Sequence, residues 1–93
     1  MLMSEILYPE DLPADCISSC TVPGQDASDE VEYWLNRLDF QVDPEAARAG
    51  LAEYGAWDDE DLSEADPHTL SGRVLWLACC HFNEGYDYFT LTI

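Results

Sequence analysis

The side chains best suited to do chemistry in this 93-residue chain are an acidic run, Asp58-Asp59-Glu60-Asp61, preceded by Trp57 and continued by Glu64 and Asp66. Carboxylates at this density can hold calcium, share a proton in catalysis, or present a face to a cationic partner. A calcium loop fails on register: counted from Asp59, Glu64 falls where the sharp-turn glycine belongs and Leu70 where the bidentate glutamate belongs. Paired catalytic carboxylates lack a supporting nucleophile or base, and any crowd of acids supplies some pair at a workable distance. No enzymatic activity is expected. A binding face fits better, because carboxylates at i, i+3 and i+4 on a helix or tight turn have Cβ atoms about 5–6 Å apart. That spacing is comparable to successive phosphates along a nucleic-acid strand. Trp57, Asp58, Asp59, Glu60, Asp61, Glu64 and Asp66 are therefore the expected partner-binding residues, and the competing reading is a solvated charge run beside a helix.

The cysteines form the second group. A Cys₃His zinc site can be drawn from Cys16, Cys20, Cys79, Cys80 and His81, but the Cys-x3-Cys spacing and the adjacent Cys-Cys-His lack the Cys-x2-Cys knuckle. Adjacent helical residues also point about 100° apart, which hinders joint ligation. The expectation is no metal and no other cofactor, with Cys79 and Cys80 packing as small apolar residues in a reducing compartment and His81 a satisfied core or boundary histidine. Trp34 and Trp76 lie on helical stripes and belong in a core. Trp57, in a turn beside the acids, is a candidate anchor for an Arg-rich partner.

Charge sets the class of partner. Twenty Asp and Glu stand against Arg37, Arg48 and Arg73 and no lysine, a formal net charge of −17. Solubility alone asks for a magnitude of about 2–8 in a small domain, and the surplus costs stability through self-repulsion. A compact chain of this length spans roughly 30 Å, and roughly 30 Å of duplex DNA carries on the order of 18 charges. The alternative is an acidic protein whose charge serves solubility alone. No run approaches the roughly 18 apolar residues of a membrane span, and the start Met1-Leu2-Met3-Ser4-Glu5 lacks a basic signal-peptide region, so a cytoplasmic location is expected. Anionic membranes and nucleic acid would repel the chain and are not expected as direct ligands.

These side chains need a scaffold, and 47% apolar residues in one short chain predict a single folded domain over 1–93. The stretch from Tyr8 to Asp26, with Pro9, Pro13, Pro23 and Gly24, reads as loop or short extended pieces. Asp26 or Ser28 can cap a helix over roughly 28–38, with Val31, Trp34, Leu35 and Leu38 forming one stripe. Asp43 and Pro44 open a second helix over 44–54, closed by Gly55 at C′ and striped by Ala47, Leu51 and Tyr54. Asp58 can cap a short turn through 62. Asp66 and Pro67 open a third helix over 67–82, apolar nearly all round in its second half and hence central to the core, with Gly85 after it. The tail, 86–93, alternates as a strand and finds its cheapest partner in 2–7. The expected fold class is mainly α, in the α+β sense, with a minor terminal β element.

The segment from Leu51 to Leu62, followed by Arg73-Val74-Leu75-Trp76-Leu77-Ala78-Cys79 and joined by the Glu32-Tyr33-Trp34 helix, resembles small acidic proteins of bacteriophages and mobile elements. That resemblance implies DNA mimicry against host defence, as in anti-CRISPR and antirestriction proteins, with the small size favouring the anti-CRISPR type. The partner it implies is a Lys/Arg-rich nucleic-acid-binding surface of a CRISPR or restriction complex in the bacterial cytoplasm. The rival readings are a non-enzymatic acidic adaptor without mimicry and a small zinc-binding protein.

Overall fold

Asp-Pro pairs start helices in this chain because proline supplies a preset φ where an N–H would go unused, and the preceding aspartate accepts from a free amide. In the computed structural model, which describes residues 6–20, 29–55 and 57–90, the devices work as their chemistry requires. Asp43 accepts from Ala46 N at 2.9 Å and opens a helix over Pro44–Tyr54, while Asp66 accepts from Thr69 N at 2.7 Å and opens one over Pro67–Asn83. In chain order the helices are α1 (Ala14–Ser19), α2 (Asp29–Leu38), α3 (Pro44–Tyr54), α4 (Asp59–Glu64) and α5 (Pro67–Asn83), with a 3-10 turn at Pro9–Asp11. The protein is mainly helical.

Helix α5 is the hub. It buries Leu70, Ser71, Gly72, Val74, Leu75, Leu77, Ala78 and Cys79, and α1, α2 and α3 all pack against it. Helix α3 turns Ala47, Gly50 and Leu51 inward, and these small residues let the two backbones approach. Helix α2 contributes Val31, Trp34 and Leu35, with Leu38 half-buried at its end. It closes at Asp39, whose φ of 50° is the left-handed turn that glycine more often supplies, and Phe40 N returns to Leu35 O at 3.1 Å. Gly55 closes α3 with φ 71°, an angle that would strain a side chain. The cap expected at Asp26 or Ser28 lies outside the described residues.

Two expectations are corrected. The segment from Tyr8 to Asp26 is not simply loop, since it holds the 3-10 turn and α1. Helix α1 is six residues long, begins at Pro13 with no side-chain cap, and carries Ser18 and Ser19 hydroxyls that both donate to the Asp15 carbonyl. Nothing local makes so short a helix stable in water, so it is held by packing on α5. Asn83 of α5 reinforces it, donating to Ile17 O at 2.7 Å and Cys79 O at 3.0 Å. The terminal β element, expected from 2–7 with 86–93, reduces among the described residues to one antiparallel bridge. Leu7 and Phe89 exchange two N–H···O bonds of 2.8 Å each. Both side chains are buried, and the residues at 1–5 and 91–93 lie outside the description. Full burial of such a side chain contributes about 1.5–3 kcal/mol against two backbone hydrogen bonds of about 1 kcal/mol each, so the bridge serves mainly to seat two core residues.

No helix of the described residues is long and apolar enough to cross a membrane.

Candidate functional site: an acidic surface and a buried thiol cluster

Every Asp and Glu among the described residues is exposed. The acids of the expected binding turn lie together on α4 and its two flanks, Asp58 as its N-cap, Asp59, Glu60, Asp61 and Glu64 within it, and Asp66 as the next cap. Asp58 Oδ1 accepts from Asp61 N at 2.8 Å, so two of the six acids, Asp58 and Asp66, carry the capping duty expected of them from sequence. For Asp66 the backbone N–H of Thr69, then its side chain, holds the carboxyl below its ordinary value, because both hydrogen bonds favour the ionised form.

The arginines explain how the turn is held. Arg48 of α3 reaches α4 and donates Nε to Leu62 O at 3.0 Å and an Nη to Ala65 O at 3.1 Å. These are carbonyls at the C-terminal end of α4, where a cation also meets the negative end of the helix. Trp57 is half-buried, set edge-on to Trp76 at 6.0 Å between centroids, with the Arg73 guanidinium 5.2 Å over its ring. Its indole thus packs on the core beneath the acids and already carries an arginine. Among the described residues, the large apolar side chains that do stand exposed are Ile6, Tyr8, Tyr33, Tyr86 and Tyr88. Tyr8 and Tyr88 flank the inward Leu7 and Phe89, so outward placement follows from extended-chain alternation.

The second arrangement is internal. Cys16 and Cys20 stand one turn apart on one face of α1 and meet Cys79 of α5, with the three sulfurs all within 4.8 Å of one another. Cys16 Sγ lies 4.0 Å from Cys79 Sγ, and the Cys79 thiol also approaches Cys16 O at 3.6 Å. All four cysteines are free thiols, and these three have no solvent exposure. Cys20 is held below the ordinary thiol value by hydrogen bonds from Cys16 and then Cys79, while Cys16 is pushed up to about 12, chiefly by its bond to Cys20. Cys79 is raised as well, through its bonds to Cys16 and Cys20.

The five residues drawn from sequence as a zinc set therefore divide. Cys80, adjacent to Cys79, turns away and is half-exposed, as the 100° between neighbours requires. His81 bonds Leu77 O through Nδ1 at 3.0 Å and sits in an aromatic cluster with Tyr54, Tyr86 and Phe89. The placement of Cys16 and Cys20 in a loop is corrected: Cys16 lies in α1 and Cys20 is its C-cap.

A third grouping joins Glu32 of α2 to His68 of α5, whose Nε2 lies 2.8 and 3.0 Å from the two carboxylate oxygens. Ser71 is one turn along and lines the same shallow cleft with Phe40, Val42 and Pro67. Its hydroxyl accepts from Val42 N at 3.2 Å and is buried, so it ties the segment between α2 and α3 to α5. An acid, a histidine and a serine are thus neighbours without the histidine-to-serine hydrogen bond that activates a nucleophile.

No family model matches the chain, and no match is found among curated proteins or among solved structures.

Proposed function

We propose that the protein is an acidic inhibitor that occupies a Lys/Arg-rich nucleic-acid-binding surface of a host defence complex and excludes DNA from it, of the anti-CRISPR rather than the antirestriction type. The observation that carries this reading is the exposure of every described Asp and Glu, combined with Arg48, which turns its donors to main-chain carbonyls, and Arg73, which lies over the Trp57 ring. A long axis of 32 Å and a net charge of −17 compare with about 19 charges on the same length of duplex. The contact face is the turn formed by Asp58, Asp59, Glu60, Asp61, Glu64 and Asp66, set on Trp57 and braced by Arg48. Long-range attraction speeds encounter, and the short helix fixes the register of the carboxylates.

The test begins with capture of the partner from a bacterial host lysate under nuclease and salt controls, followed by competition. DNA should displace the protein from that partner, and affinity should fall steeply as salt rises. Changing Asp58, Asp59 and Asp61 to Asn and Glu60 to Gln removes four charges, and Asn at 58 still caps α4. With about 0.2–1 kcal/mol per exposed ion pair, the loss is roughly 1–4 kcal/mol, from several-fold to about a thousandfold. The matched control neutralises Asp29, Glu30 and Glu32. A partner that binds this protein and its DNA together with undiminished affinity would refute mimicry and leave an adaptor role.

A further inference from the structure

We infer that Cys16, Cys20 and Cys79 form a three-thiolate site for a thiophilic closed-shell metal ion, Zn(II) or Cu(I). Their sulfurs already converge from two helices that lie far apart in sequence, with all three within 4.8 Å of one another. Two sulfurs on one tetrahedral Zn(II), each at about 2.3 Å, lie about 3.8 Å apart. The Cys16 and Cys79 sulfurs stand at 4.0 Å and no pair exceeds 4.8 Å, so side-chain adjustment of about 1 Å or less closes the set on an ion.

Packing alone does not call for this arrangement. Ala or Val fills a small core position as well as Cys, and Cys80 shows that a thiol on the same helix need not join the group. Three soft donors without a carboxylate or imidazole among them select Zn(II) or Cu(I) over calcium and magnesium, which the acidic surface attracts but sulfur does not retain. The charge of −17 also raises the local concentration of any cation. On binding, three metal–sulfur bonds form and every S–H bond still present in the trio breaks. The protons pass to solvent and no electron moves.

The ion would act on a helix with little local support. Helix α1 has six residues and no side-chain N-cap, and the site joins Cys16 within it and Cys20 at its C-cap to the hub helix. Metal that binds the folded state stabilises it by RT ln(1 + [L]/Kd), which makes α1 the element whose order depends on the ion.

The test uses the full chain, reduced and stripped of metal. It is titrated in one arm with Co(II) as the spectroscopic stand-in for Zn(II), and in the other with Cu(I) against a competing chelator. The expected result is saturable uptake of one equivalent in at least one arm, with a thiolate-to-metal charge-transfer band. Cys16→Ala, Cys20→Ala and Cys79→Ala should each weaken binding by about a hundredfold, and Cys80→Ala should leave it unchanged. In case an alanine variant fails to fold, alkylation of the unaltered chain, read residue by residue by mass spectrometry, decides. Metal should slow modification of Cys16, Cys20 and Cys79 by at least about tenfold relative to Cys80. Absence of saturable uptake in both arms, equal protection of Cys80, or unchanged uptake in folded Cys79→Ala overturns the site.

Discussion

Replacing Arg48 by alanine isolates what holds the acidic turn in place. The guanidinium makes two hydrogen bonds, of 3.0 and 3.1 Å, to carbonyls that end a helix of six residues. A hydrogen bond with one charged partner contributes about 1.5–3 kcal/mol, so the gross loss is about 3–6 kcal/mol. Arg48 is half-buried and water can reach the Ala65 carbonyl, which brings the expected net loss to about 2–3 kcal/mol. Alanine is the best helix former, so α3 itself incurs no propensity penalty. In a domain of this size each kcal/mol moves the midpoint by about 4–8 °C, and the variant should melt roughly 10–20 °C below the parent. Arg48→Lys keeps the charge but replaces a rigid fork by a point donor and should recover about half of the loss. Thermal and urea unfolding followed by circular dichroism give the free energy, and amide exchange at Leu62 and Ala65 shows whether α4 opens first. A loss under about 0.5 kcal/mol for Arg48→Ala, with unaltered exchange in α4, would refute the bracing role.

Moderate salt should raise the melting temperature of the isolated protein, because exposed carboxylates repel one another more in the folded than in the expanded chain; a flat or falling midpoint between low and moderate salt would contradict this. Asp66 supplies a pH dependence of known sign. Its folded-state pKa lies below the ordinary 3.8, so its contribution is present above that value and is lost as pH falls through the depressed one. The melting-temperature difference between parent and Asp66→Asn should therefore shrink as pH is lowered below about 4, and a difference that persists unchanged in acid would show that Asp66 acts without its charge.

What could be read from sequence was whatever local chemistry decides. Asp43-Pro44 and Asp66-Pro67 fixed two helix starts to the residue, Gly55 fixed one end, and the Val31, Trp34, Leu35 stripe was enough to turn α2 inward. The turn expected over 58–62 became α4 over Asp59–Glu64, since Arg48 caps the carbonyls of Leu62 and Ala65, a contact between separate helices that no local pattern encodes. Helix α1 was missed for a related reason. Pro13 and two serines argue for loop, and only the fit of Cys16 and Cys20 against α5 overrides them. The cysteine spacing was legible as i, i+4 but not as a site, because the third sulfur depends on which face of α5 meets α1. Trp57 lay next to the acids in sequence and looked like a surface anchor, while its ring packs on Trp76 under Arg73.

The way this protein tolerates its charge bears on what the charge is for. Asp43, Asp58 and Asp66 are each stabilised by main-chain amides at a helix start, which supply partial positive charge without adding a cation. Arg48 directs its donors to main-chain carbonyls, so it braces a helix without drawing a carboxylate out of the external field. Compensation by backbone dipoles differs from compensation by ion pairs in one consequence: it secures the fold locally and leaves the carboxylates of the described residues facing solvent. A chain selected only to fold would gain by pairing some of these acids with lysine, of which it has none. Retaining the negative field while meeting structural needs through the backbone is the pattern expected of a surface whose charge is itself the recognised feature, and it makes the carboxylates removable one by one without loss of the fold wherever asparagine can keep the cap.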